Sequence, residues 1–156
     1  MALRPVEPSV PKLMARPLSF GEREELRLAL QKAQLPTDDI DEPARLFWRF
    51  ERRDQVPVGF GGLEVYGKEA LMRSVLTLPF ARKRGLGRAI VNGLELEAFA
   101  AGCRAIWLAT TSAAGFFERL GYERRDRGEV PAAILQTRQL ASLCPASATV
   151  MTKPLR

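Results

Sequence analysis

Histidine is absent from the 156 residues, and the only cysteines are Cys103 and Cys144. The first absence removes Ser-His-Asp and Cys-His nucleophile systems, His-ligated zinc or iron, and a histidine general base. The shortage of thiols removes a structural zinc cluster and a disulfide framework. Together with an N-terminus unlike a signal peptide, it fits a reducing cytosol. No apolar run approaches the roughly 20 residues that a membrane span needs. Lysine is also scarce. Of 24 basic residues only Lys12, Lys32, Lys68, Lys83 and Lys153 are lysines, the rest being arginines, and against 18 acidic residues they leave a net charge of +6. Such an excess suits an anionic partner without naming it, and a solvated basic surface would account for it equally. Apolar residues at 46% and charged residues at 27% are ordinary for a globular chain, so wholesale disorder is excluded. The length suits one domain with one core.

Residues 1–11, with Pro5, Pro8 and Pro11, read as a loose extended arm ahead of a single domain over 12–156. Lys12–Leu18 suggests a strand confined to an edge by Pro17. Ser19 and Glu22 have capping-box spacing, and Leu26, Ala29, Leu30 and Ala33 recur at helical intervals until Pro36. A loop over Thr37–Glu42 follows, and Pro43 opens a short second turn. Leu46, Trp48 and Phe50 alternate as in a half-buried strand. Val56–Val65, carrying Gly59, Gly61 and Gly62, gives a second strand, bulged or closely approached at the glycines, and Leu71–Leu78 gives a third. The three form a meander. A long helix is expected over Leu86–Ala101, with Gly102 as its cap. A strand buried on both faces is expected at Ala105–Thr110, and a brief helix through Phe116, Phe117 and Leu120 capped by Thr111 or Ser112. Tyr122–Arg125 starts a further strand, Pro131–Leu143 reads as one helix, and Thr149–Lys153 closes the sheet. A meander followed by strand–helix crossovers makes an α+β sheet with helices on its faces.

The segment from Pro79 to Ile90 is the most informative. A strand ends, Gly85 and Gly87 allow an unusual backbone, and a helix begins whose first amides lack partners and carry partial positive charge. Phosphate is well held at such an end. First helical turns usually carry Asp or Glu, yet Arg82, Lys83, Arg84 and Arg88 stand here, an arrangement that an anion would relieve. The spacing is neither that of a Walker loop nor that of a dinucleotide fingerprint. No nucleic-acid module is recognisable, so neither nucleic acid nor membrane is expected as a partner.

Arg82-x-x-Gly85-x-Gly87 resembles the Q/R-x-x-G-x-G/A motif with which the GNAT superfamily of N-acetyltransferases grips the pyrophosphate of coenzyme A. Leu108–Tyr122 is similar to the family's second coenzyme-side motif, which ends in a pattern like FYxxxGF. The likeness runs over Val56–Thr152, and the tail is similar to the GNAT-like proteins of arsenic-resistance operons. The resemblance implies a GNAT-like mixed, mostly antiparallel sheet with a splayed strand pair and helices on both faces. It implies acetyl-CoA as cosubstrate, no metal, and N-acetylation of a small amine. The acceptor would be an amino acid or an amino-acid-like arsenical, and the protein a monomer or homodimer. The alternative is a non-catalytic acyl-CoA-binding protein or a thiol-based metalloid binder.

By that resemblance Val75, Leu76 and Thr77 offer backbone hydrogen bonds to pantetheine. Arg82, Lys83, Arg84, Gly85, Leu86, Gly87 and Arg88 hold the pyrophosphate, and Thr110 contacts the pantetheine arm. The tyrosine that supplies a proton to the departing thiolate in many relatives is Phe117 here, which leaves the general acid open. Glu64 is the candidate base, directly or through water. If Gly67-Lys68 is a two-residue turn, Glu64 lies opposite Leu71 and near Arg73, so a Glu64–Arg73 salt bridge on the solvent face is the competing reading. Arg73 could instead clamp a substrate carboxylate or phosphonate-like group. Cys144 could line the acceptor pocket, donate a proton, or be a packed, inert thiol, and Cys103 is expected between helix and strand. Asp38, with Asp39 and Asp41 beside it, either holds a substrate ammonium or belongs to a solvated loop.

Overall fold

The computed structural model describes residues 12–82 and 85–156. Seven strands form one sheet: β1 (Met14–Pro17), β2 (Leu46–Glu51), β3 (Pro57–Tyr66), β4 (Glu69–Thr77), β5 (Ala105–Thr110), β6 (Glu123–Arg125) and β7 (Thr149–Pro154). Their order is β1-β2-β3-β4-β5-β7-β6. Every pairing is antiparallel except β4 with β5. The expected mixed α+β sheet is therefore present, with the Pro17 strand at one edge, where a residue lacking N–H is tolerated. Tyr66 pairs with Glu69 across Gly67-Lys68. Gly67 takes φ 64° there, which closes the tight turn that sets the β3–β4 register.

Among the described residues, four α-helices cover the sheet: α1 (Arg23–Lys32), α2 (Leu86–Ala100), α3 (Ala114–Arg119) and α4 (Ala132–Leu135). The capping box at Ser19 and Glu22 forms as expected, although the first turn it closes, Phe20–Glu22, is 3₁₀. On one face α2 and α3 pack over a core that includes Phe50, Leu63, Met72, Ile90, Leu94 and Phe117. Small residues let α2 come close. A Cβ on Gly61 would lie 2.6 Å from Leu94 Cδ1, and one on Gly93 2.7 Å from Phe50 Cε1. The opposite face carries two smaller cores. One joins Leu26 and Leu30 of α1 and Ile40 to Phe47, Phe60 and Leu76. The other joins Leu71, Trp107 and Val150 to Ile134 and Leu140.

The single helix expected over Pro131–Leu143 is broken. α4 ends at Leu135, and a π-helical turn occupies Gln139–Leu143, closed by Cys144 N–H donating to Gln139 O at 2.8 Å. Thr137 supplies the reason. Its buried hydroxyl donates to Ile134 O at 2.7 Å and faces Leu140 N at 3.4 Å, competing with the helical backbone ladder. The α3 cap is also corrected. Its N-cap is Ala113, which makes no side-chain capping bond, rather than Thr111 or Ser112, and Thr110 Oγ1 accepts from Ala113 N at 2.9 Å just ahead of the helix.

Candidate functional site

β4 and β5 pair only through Glu69↔Ala105, Ala70↔Ile106 and Leu71↔Trp107. Beyond Leu71 the two strands have parted, and the edge of β4 that faced β5 is left without a ladder. A cleft of about 430 Å³ opens between them, with Met72, Val75, Leu108 and Thr110 among the strand residues on its walls. The expected splay is thus present, and its cause lies partly in β4 itself. Ser74 and Val75 oppose the single residue Gly61 where the register shifts, and Ser74 adopts φ 57°. A bulge of this kind takes backbone groups off the ladder and turns the strand. Of the three residues expected to offer backbone hydrogen bonds, Val75 lines the cleft. Leu76 and Thr77 continue β4 in register with Phe60 and Gly59.

The diverging strands lead to the N-terminus of α2. Gly85 is its N-cap, with φ 72°, a left-handed conformation that residues with a side chain adopt reluctantly. Gly87 lies where a Cβ would come within 3.3 Å of the Phe116 ring and 3.5 Å of Thr77 Oγ1, so this amide-bearing turn sits against the ends of β4 and α3. Leu86 is buried beneath it, while Arg82 and Arg88 are exposed. Lys83 and Arg84, the remaining residues expected to hold pyrophosphate, lie outside the described residues. What is described fits a diphosphate: free helical amides, no side chain over Gly85, and flanking cations.

The acceptor side departs more from expectation. Glu64 pairs with Leu71 and its side chain is close to Arg73 as anticipated, but the ion pair is fully buried, not on a solvent face. Both side chains are 0% exposed, and Arg73 Nη1 donates to Glu64 Oε2 at 3.0 Å. Tyr66 Oη donates to Glu64 Oε1 at 2.5 Å, and Arg45 Nη1 stands 3.8 Å from the same oxygen. A carboxylate so enclosed and engaged cannot reach an amine directly, which corrects its assignment as a base in contact with substrate. Arg73 is corrected too. Its two Nη atoms each donate to Asp39 at 2.5 Å, so the fork expected to clamp a substrate anion is already filled. Asp38 is exposed, and Asp39 is the carboxylate that folds inward.

The buried part of this network sums to zero charge, Asp39 and Glu64 against Arg45 and Arg73, and Arg45 also donates to Glu42, which Arg138 balances. Arg45 Nη2 adds a bond to Asp39 at 3.2 Å. Burial alone would raise the Asp39 pKa, but the two guanidinium groups outweigh it and hold the carboxyl below its ordinary value. For Tyr66, burial first and the Glu64 carboxylate second push the phenol up to about 12, so it stays protonated. Arg45 and Tyr66 were not singled out in the sequence. Even spacing along β3 places Tyr66 on the Glu64 face, but nothing local signals Arg45.

Phe117 lines the cleft, edge-on to Phe116 at 5.1 Å and to Tyr122 at 5.4 Å. Tyr122 faces away from the cleft residues, toward Glu95 of α2. Cys144 and Gln139 are also on the cleft wall, together with Leu35 and Pro36 from beyond α1. Burial pushes the Cys144 thiol up, so it is a poor nucleophile. Cys103 is buried, its thiol 3.6 Å from Gly67 O, and is not a cleft residue. Gln139, a cleft residue that sequence reasoning missed, carries no composition or spacing signal.

The profile of the Acetyltransferase (GNAT) family matches residues 12–122. A protein of Bacillus subtilis named uncharacterized protein YyaT is 40% identical over 68 residues, which are 43% of this chain and 46% of that protein, so the match spans less than half the length of this curated relative. Among solved structures, Rv2747 of Mycobacterium tuberculosis in complex with CoA aligns with TM-score 0.74 and 19% identity, covering 92% of this chain and 99% of that one. N-acetylglutamate synthase of Neisseria gonorrhoeae, complexed with coenzyme A and N-acetyl-glutamate, aligns with TM-score 0.74 and 14% identity over 92% of this chain and 35% of that one. The fold of these proteins and the long family match agree with the parted strands and the helix end beside them: the chain belongs to the GNAT acetyltransferase family.

Proposed function

We propose that the protein is an acetyl-CoA-dependent N-acetyltransferase acting on a small-molecule amine. One observation carries this reading: β4 and β5 separate after Leu71 and Trp107, and the gap leads to a helix N-terminus capped by a left-handed glycine. In this reading the amides from Gly85 to Arg88 hold the pyrophosphate, with Arg82, Lys83 and Arg84 adding charge. The β4 edge at Val75 to Thr77 accompanies the pantetheine arm, and Thr110 flanks it from β5. The thioester then lies near the Ser74 bulge. Family relatives crystallised with CoA support the cosubstrate.

Glu64 acts at one remove, by fixing Arg73 and Tyr66 behind the acceptor wall. Phe117 cannot donate a proton, so Cys144 is the protic side chain of the cleft best able to protonate the departing thiolate. An amino acid or amino-acid-like arsenical as acceptor draws on the likeness of the tail to arsenic-operon proteins and on the single cleft thiol, Cys144. Among the described residues no group of three or more His, Cys, Asp or Glu side chains is placed to hold a metal ion, and none of the helices is long and apolar enough to cross a membrane.

Isothermal titration with acetyl-CoA tests the reading. Micromolar-range binding is expected, with at least a tenfold loss in Gly87→Asp, whose side chain would press on Phe116 and Thr77, and in Gly85→Asp, whose carboxylate would meet the phosphates. Thiol release across an amine panel then separates an enzyme from a non-catalytic acyl-CoA-binding protein. Unchanged affinity in both variants would remove the pyrophosphate assignment.

A further inference from the structure

We infer that Gln34, which follows α1 in a left-handed conformation, binds the carboxylate of the acceptor, and that the acceptor is an α-amino acid with an uncharged side chain. The inference rests on the acetyltransferase reading above. Gln34 has φ 58°. Its N–H donates to Gln31 O at 3.1 Å, and Leu35 N–H donates to Leu30 O at 3.0 Å. These are the paired bonds of a Schellman turn, whose left-handed position is usually glycine because a Cβ is strained there. Leu35 completes the turn by packing on the core that holds Leu30, and nothing in the turn itself calls for a glutamine. Backbone cost of this kind gathers at binding sites. Among the described residues four non-glycines have positive φ, and two of them, Gln34 and Ser74, stand on the cleft wall.

Position and charge decide what Gln34 meets. It belongs to the turn after α1, not to the strand gap between β4 and β5, so it leaves the path given to the pantetheine arm clear. Among the described residues, the cleft wall includes neither Asp nor Glu, and its one ionised side chain, Arg73, is offset by Asp39. A neutral cleft takes a ligand of no net charge at the least cost in desolvation. An amino acid with an uncharged side chain is such a ligand, a zwitterion whose ammonium brings its own counter-ion. Its carboxylate still needs a donor. The guanidinium of Arg73 is engaged by Asp39, whereas Gln34 is exposed and its carboxamide offers two N–H groups at the rim, where a carboxylate keeps part of its hydration. With the carboxylate held there, the amine on the adjacent carbon is carried inward, toward the Ser74 bulge where the thioester lies in the proposed reading.

The test follows thiol release from acetyl-CoA at pH 7 with each of the protein amino acids as acceptor and, for the best of them, the amine that lacks its carboxylate. Acetyl-CoA affinity and melting temperature are measured on every preparation. The wild type should prefer an uncharged amino acid to its decarboxylated amine. Gln34→Gly should raise the amino-acid KM about tenfold, yet leave the acetyl-CoA affinity and the KM of the decarboxylated amine in place. Its melting temperature should hold or rise, since glycine relieves the turn. Gln34→Glu, of the same length but with no N–H to donate, should raise the same KM and no other. An unchanged amino-acid KM in both variants overturns the inference. So does an equal loss on the decarboxylated amine, or a lowered melting temperature in Gln34→Gly, which would make the residue structural. A wild type that prefers a charged amino acid or the decarboxylated amine overturns it and leaves the acetyltransferase reading standing. A wild type that binds acetyl-CoA yet releases no thiol with any acceptor also overturns it and leaves acyl-CoA binding standing. A wild type without affinity for acetyl-CoA removes the acetyltransferase reading itself, and this inference with it.

Discussion

Arg73 has two carboxylates within hydrogen-bond reach and no exposed side-chain surface, so its charge is tolerable only while both remain. Removing one partner of a buried pair leaves an uncompensated ion, at a cost of roughly 3–5 kcal/mol. Asp39→Ala should destabilise the fold by about the lower end of that range, since Glu64 persists, as read from urea denaturation. Its pH dependence follows from the sign of the shift. The folded-state pKa of Asp39 lies below its ordinary 3.8, so its contribution is complete above that value and fades as pH falls through the lower folded-state pKa. The stability gap between wild type and Asp39→Ala should therefore be level at neutral pH and narrow only in strong acid. Tyr66→Phe removes the hydroxyl that donates to Glu64 and should cost about 1 kcal/mol, again by urea denaturation.

At the scale of elements, the contact between β3, β4 and α2 decides whether the cleft keeps its shape. A Cβ on Gly59 would stand 2.3 Å from Leu76 O and 2.5 Å from Ile90 Cδ1. The first of these is backbone and cannot rotate away. Gly59→Ala should then cost roughly 1–3 kcal/mol by overpacking. It should also weaken acetyl-CoA binding more than its distance from the helix end would suggest, because the displaced strand carries Val75 to Thr77. A melting curve and a titration on the same preparation check both halves. A variant with lowered stability but unaltered affinity would mean that the β4 edge is not part of the binding surface.

For the whole molecule, a ligand that binds only the folded state stabilises it by mass action, about 2.7 kcal/mol at a hundredfold excess over Kd. For a domain of this length that corresponds to a rise on the order of 5–10 °C in melting temperature. Acetyl-CoA should produce such a rise, and coenzyme A a comparable one, whereas Gly85→Asp should show little. Binding dominated by the basic surface instead, as with a nucleic acid, would fall steeply with salt. The net charge of +6 makes that control informative.

Local rules were enough for much of the molecule. The capping box at Ser19, the Gly67-Lys68 turn and the glycines heading α2 each arise from interactions within a few residues, so the amino-acid order determined them. The same is true of the helix end assigned to pyrophosphate, whose chemistry is backbone amides and neighbouring cations. Leu46–Glu51, expected as a half-buried strand, is instead covered on both faces, with Phe47 and Glu51 buried and Leu46 exposed. Thr137, which splits the expected Pro131–Leu143 helix, acts through a single hydroxyl that weighs little in a periodicity count. Only the tertiary structure decided that Asp39 rather than Asp38 turns inward, that Arg73 is already satisfied, and that Gln139 joins the cleft wall. Those outcomes depend on which charges and amides lose water together when distant segments pack. That free energy belongs to the assembled interior, and no stretch of sequence carries it alone.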